Sequence, residues 1–214
     1  MSRSANVVDK RRDLPSAASP IVLASASAAR AALLAAAGLD VEVDPASIEE
    51  GHQRRRAPGE LAPGPLAMAL AERKALAVSR RRATMLVIGA DQVLACAERI
   101  FAKPKDLAAA RADLIKLRGR PHVLYSAVVA ARDETVVWRH VTVARLVMRD
   151  FSDDFLDWYL ERAGAAVLAS VGAYQLEGLG GQLFSAIDGD YFAILGLPLV
   201  PLLDFLRTDG AARE

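Results

Sequence analysis

The chain has a single cysteine, Cys96. That excludes an intramolecular disulfide and any cysteine-based zinc cluster, and it fits a reducing compartment. Aromatic residues make up only 6% of the sequence, so alanine, leucine and valine must build the core. Neither sign of charge dominates: 27 basic against 26 acidic side chains leave a formal net charge of +1. The basic excess of a polyanion binder is missing, and no nucleic-acid partner is expected. The clusters Arg54-Arg55-Arg56 and Arg80-Arg81-Arg82 read as solvated loop or helix ends. Lys10-Arg11-Arg12 followed by apolar residues and Ala24-Ser25-Ala26 imitates a signal peptide. However, the strongly apolar run is only Ile21–Ala24, too short for that or for a membrane span. The expectation is a soluble, cytoplasmic protein with no membrane partner. No G-x-x-x-x-G-K-[ST], G-x-S-x-G or G-x-G-x-x-G motif occurs, and there is no internal repeat. With 214 residues the chain can hold one large domain or two small ones. Residues 1–19 are polar and aperiodic, and read as an N-terminal tail.

Pro20 to Gly38 organises what is present. Ile21–Ala24 reads as a short strand, Ser25-Ala26-Ser27 as a turn, and the alanine-rich run with Leu33 and Leu34 as a helix that Gly38 ends. Arg30 breaks the local rule: it stands in the first helical turn, where the dipole disfavours a cation. Two serine hydroxyls and the free N–H groups of the helix start lie at the same spot. The stretch is therefore either a serine-capped helix with a solvated arginine or an anion site.

Val41-Glu42-Val43 alternates like a strand, and Pro45 to Pro65 reads as a long polar loop carrying Glu49 and Glu50. Leu66 to Ser79 is a helix in which Lys74 sits among apolar positions, either snorkelling or reaching for a ligand. Thr84 to Asp91 reads as a buried strand that stops at a carboxylate, where ligands collect in open α/β sheets. Asp91 there is a turn former, a metal ligand or a base. Val93 to Ala102 reads as a hairpin, followed by Lys103-Pro104, and Asp106 caps a helix over Leu107 to Leu117. His122–Ala131 and Thr135–Met148 read as a long hairpin, with His122 and His140 as sheet residues. Ser152 caps the next helix. Gly172, Gly178, Gly180 and Gly181 then crowd a stretch where backbone can approach a ligand, and Leu197–Leu206 reads as a final helix.

Together these pieces resemble the Maf family of nucleoside triphosphate pyrophosphatases. The resemblance rests on Ser25-Ala26-Ser27-Ala28-Ala29-Arg30 with Leu33-Leu34, Glu49-Glu50, Lys74, Gly89-Ala90-Asp91 and Lys103-Pro104. It continues through Gly119-Arg120 with His122, Gly172-Ala173-Tyr174, Glu177-Gly178-Leu179-Gly180 and Gly196-Leu197-Pro198-Leu199. It implies an α/β fold of the Maf/inosine-triphosphatase-like kind: a long mixed β-sheet flanked by helices, in two lobes with a central cleft. It also implies a single domain over residues 20–207, with 208–214 as a C-terminal tail, and a possible homodimer. The implied reaction splits a nucleoside triphosphate into the monophosphate and pyrophosphate with a divalent metal cation, Mg2+ or Mn2+.

By resemblance, Ser27, Arg30, Lys74 and Lys103 bind substrate, Glu50 and Asp91 hold the metal, and Asp91 is the proton acceptor. Ala29, Gln92 and Glu177 stand at specificity positions. Gln92 replaces a common Thr, Glu177 a common Gln, and Glu49 an Asp. The Gln92 and Glu177 combination looks like the branch acting on N7-methylated GTP. An N7-methylated guanine is positively charged, and a carboxylate beside it is favoured over an amide. Ala29 takes the place of an aromatic residue often found in that branch, so no ring stacks on the base from that side. Two rival readings are a nucleotide-binding regulator of cell division without turnover and a phosphatase removing only the γ-phosphate; product analysis separates all three.

Overall fold

The computed structural model describes residues 21–47 and 62–212. Glu49, Glu50, Arg54–Arg56 and the N-terminal tail lie outside the described residues. In chain order the elements are β1 (Ile21–Leu23), α1 (Ala28–Ala36), β2 (Val41–Val43), α2 (Pro63–Ser79), β3 (Leu86–Cys96) and β4 (Arg99–Phe101). There follow α3 (Leu107–Leu117), β5 (Pro121–Arg132), β6 (Thr135–Met148), α4 (Asp153–Ala163), β7 (Phe184–Asp188), α5 (Tyr191–Ile194) and α6 (Leu199–Thr208). Between α4 and β7 the chain makes three short 3-10 turns.

The described strands form one mixed seven-stranded sheet in the order β2-β1-β3-β5-β6-β7, with β4 paired to β3 off that path. β1 is parallel to β2 and β3, and the other pairings are antiparallel. The turn at Asp133 and Glu134 has φ of 49° and 59°, the hand that suits the twist of the long β5–β6 hairpin.

Two departures from the sequence reading matter. First, α2 starts at Pro63 rather than Leu66, because a proline in the first turn lacks only an N–H that had no partner anyway. Second, Asp91 does not end its strand: β3 runs on to Cys96 as a single eleven-residue element. The apolar run breaks at Asp91 because the strand there passes between two cores. Leu86, Ile88 and Ala90 pack with β1, α1 and α6. Leu94 and Cys96 pack with α3, α4 and the 3-10 turns. Asp91 and Gln92 occupy the junction. Beyond the expected end of the domain, α6 continues to Thr208 and Ala211 is buried.

The flank of β3 explains why a cleft opens at this point. β1 covers it only along Leu86–Ile88, and β4 only along Leu94–Cys96. Among the described residues no strand pairs with 89–93 on that side, while β5 pairs continuously on the other.

On the opposite face, α2 rests almost directly on Gly89. A Cβ there would collide with the Ala71 carbonyl oxygen and lie 2.6 Å from the Ala75 nitrogen. Gly89 and Asp91 share this face because strand side chains alternate. Gly89→Ala is therefore expected to push α2 outward, lowering stability by ~1–3 kcal/mol. It should also slow turnover by drawing Lys74, on α2, away from Asp91. Thermal melts and a pyrophosphate-release assay check both, and wild-type values in both would show that the helix does not depend on this contact.

Candidate active site

The turn after β1 is built by its serines. Ser27 caps α1, its Oγ accepting from the Arg30 N–H at 3.5 Å, and Ser25 Oγ accepts from the Ser27 N–H at 3.3 Å. The first intrahelical bond runs from Ala31 N–H to the Ser27 carbonyl. The N–H groups of Ala28 and Ala29 precede it and have no acceptor within the helix.

Arg30 is not the solvated side chain that its position in the first turn suggests: it is 8% exposed. Its Nε donates to the Gly196 carbonyl at 2.8 Å. Nη1 donates to Ser25 Oγ at 2.9 Å and to the Ala90 carbonyl at 2.8 Å. The guanidinium thus plugs the open flank of β3 and ties β1, β3 and the turn before α6 together. Each of these three acceptors is uncharged.

Asp91 is 1% exposed and Lys74 is 6% exposed. Lys74 Nζ donates to Asp91 Oδ1 at 2.5 Å. Of the two sequence readings of Lys74, neither described this partner: the ammonium orients and balances a carboxylate that burial would otherwise penalise. Gln92, on the other face of β3, is clamped by its amide nitrogen. Nε2 donates to Ser126 Oγ at 2.9 Å and to the Ala193 and Ile194 carbonyls at 3.0 Å each. Ser126 Oγ itself donates to the Ala193 carbonyl at 2.7 Å.

These groups open onto one cavity of ≈ 320 Å³, within the size range of small-molecule sites. It is lined by Ser25, Ser27, Ala28, Ala29, Arg30, Lys74, Asp91, Gln92, Lys103 and Glu177, together with parts of the 169–177 and 194–196 segments. Lys103 is exposed at its mouth and Pro104 beside it is buried, which holds the backbone that carries the lysine. Every candidate residue that falls within the described chain therefore lines one space; Glu50 lies outside the described residues. The anchors that the sequence reading missed are backbone carbonyls, those of Ala90, Gly196, Ala193 and Ile194, which no side-chain motif announces.

Among the described residues Arg30, Lys74, Lys103, Asp91 and Glu177 are the charged side chains lining this cavity. The basic side chains and the α1 N-terminus suit a polyanion held in the cleft. Among the described residues no group of three or more His, Cys, Asp or Glu side chains could hold a metal by itself. No helix among the described residues is long and apolar enough to cross a membrane.

Residues 20–209 match the family model described as "Maf-like protein". The chain is 53% identical over 190 residues to a nucleoside triphosphate pyrophosphatase of Paramagnetospirillum magneticum, covering 88% of this chain and 98% of that relative. It is 50% identical over 194 residues to a 7-methyl-GTP pyrophosphatase of Mesorhizobium japonicum, covering 89% and 96%. A 7-methyl-GTP pyrophosphatase of Rhizobium meliloti is 49% identical over 193 residues, with the same shares covered.

Proposed function

The chain belongs to the Maf family, and on that premise we propose that it is a nucleoside triphosphate pyrophosphatase, a hydrolase that releases pyrophosphate and the nucleoside monophosphate. The observation that carries the reading is the single cavity onto which Arg30, Lys103, the α1 N-terminus and the Lys74–Asp91 pair all open. Relatives about half identical to this chain carry pyrophosphatase names.

A triphosphate is repelled by its own charge and repels a water nucleophile. In our reading Arg30, Ser27, Lys103 and the α1 N–H groups offset that charge, most usefully where it grows in the transition state. Asp91 takes the proton of the water that attacks the α-phosphorus. Lys74 keeps the carboxylate oriented toward that water. The bond from the α-phosphorus to the bridging oxygen breaks, and pyrophosphate leaves.

A divalent cation, Mg2+ or Mn2+, fits the donor chemistry. Such ions bind through one or two carboxylates with substrate phosphates completing the shell. Asp91 is the described candidate ligand and Glu50 the other. When bound, the ion would add positive charge against the phosphate oxygens.

For the base we propose N7-methylated GTP. Glu177 supports this, a carboxylate lining the cavity and able to favour a cationic base, as do the names of two of the relatives. The experiment is a panel of canonical and methylated triphosphates with Mg2+, followed by product analysis. Pyrophosphate with monophosphate is expected, fastest from the methylated substrate. Orthophosphate alone, or no product at all, would overturn the assignment.

A further inference from the structure

The proposed reaction leaves one buried polar cluster unused. His122, on β5, is 1% exposed and is not among the residues lining the cavity. Its Nε2 is 3.0 Å from the Tyr174 hydroxyl, and its Nδ1 makes no hydrogen bond of ordinary geometry among the described residues; a weaker hydrogen bond to the Arg120 backbone acts on the ring. Burial pushes the imidazole down to about 4, against a smaller opposing effect of the Arg120 backbone, so the ring is neutral near pH 7. A hydrocarbon ring would fill this space without leaving a nitrogen unsatisfied. Local rules fail where function sits.

Tyr174 is what the imidazole holds. The tyrosine lines the cavity yet is only 4% exposed, and its ring packs edge-on to Phe184. The surrounding loop is pinned as well. Tyr159 Oη donates to the Ala173 carbonyl at 3.1 Å. Gly172 has φ +79°, and a Cβ there would lie 2.7 Å from the Tyr174 ring. A Cβ on Gly180 would collide with Gln175, whose nitrogen would be 2.8 Å away. This same loop carries Gln175, Leu176 and Glu177 into the cavity, facing the α1 turn.

We propose that His122 is a positioning residue for the nucleoside end of the substrate. It acts through the Tyr174 hydroxyl to hold the loop that presents Gln175 to Glu177. The inference rests on reading the cavity as a nucleoside triphosphate site. It assigns the phosphate half of that site to α1, Lys103 and Asp91, and the nucleoside half to a loop anchored from beneath.

The test compares two probes: α,β-methylene-GTP, which has a base and resists cleavage, and tripolyphosphate, which has no base. Tyr174→Phe and His122→Phe are each expected to weaken α,β-methylene-GTP binding by about tenfold, the effect of losing one well-placed hydrogen bond. Affinity for tripolyphosphate should not change. The double variant should be no weaker than either single one, since both remove the same bond. His122→Gln, which restores a polar partner, should recover nucleotide affinity. Tyr174→Phe keeps the ring and its packing, so it carries the test by itself if His122→Phe misfolds. Parallel loss of both probes, no loss of either, or additive losses would overturn the proposal. Absence of pyrophosphate release by the wild type would sink the catalytic reading, while the binding ratio still decides the role of His122.

Discussion

Asp91→Asn is expected to reduce pyrophosphate release by ~10²–10⁴-fold, the usual contribution of a positioned general base. The substitution keeps the shape of the side chain and its place on β3 between Gly89 and Val93. What it removes is the negative charge and the basic oxygen. Lys74, 6% exposed, then faces an amide and not a carboxylate. Breaking one side of a buried ion pair is destabilising, so the variant should also melt earlier. Loss of turnover could then be blamed on instability. The double variant Lys74→Met/Asp91→Asn separates the two effects. A neutral pair at a buried site is often as stable as the ionic pair it replaces, so its melting temperature should recover toward wild type. Turnover should not recover. A double variant as active as wild type would remove Asp91 from the chemistry.

The same pair marks how far the sequence could be read. Lys74 among apolar residues of a helix, and Asp91 at the break of an apolar strand, were both visible as anomalies. Their partnership was not, because it depends on α2 lying against Gly89, and a glycine in a strand does not say which element approaches it. The extent of β3 was misjudged for a related reason. A carboxylate inside an apolar run looks like an end when the strand is assumed to have one core. Here Ala90 packs with α6 and Leu94 with α3 and α4, so the polar step is the passage from one core to the other. The long hairpin, the caps at Ser27, Asp106 and Ser152, and the terminal helix depend on local chemistry, and all five were legible. The Gln92 clamp was not. Its acceptors are carbonyls of α5, about a hundred residues distant in the chain, and carbonyls leave no mark on a sequence.

Arg30 shows the same limit with larger consequences, and Arg30→Lys is the second substitution expected to be severe. Charge is retained, yet the two side chains are not equivalent here. The guanidinium serves three acceptors in three directions: Gly196 from Nε, and Ser25 and Ala90 from Nη1. One ammonium on an unbranched stem does not span them. The Ala90 and Gly196 carbonyls are buried, and each left without its donor costs ~1–3 kcal/mol. For a chain of this size that corresponds to a melting temperature lower by roughly 5–20 °C. Gly196 itself has a φ of +104°, a backbone conformation that residues with a side chain rarely adopt. Lys103→Ala supplies the contrast. Lys103 is exposed at the cavity mouth, so its removal should raise KM for the triphosphate without lowering the melting temperature. If Arg30→Lys instead behaves like Lys103→Ala, with stability intact and only KM raised, then the arginine serves as a simple charge. The opposite pattern, an early melt together with lost turnover, would mean that the site's main cation is also the strut holding β1, β3 and the turn before α6 in register.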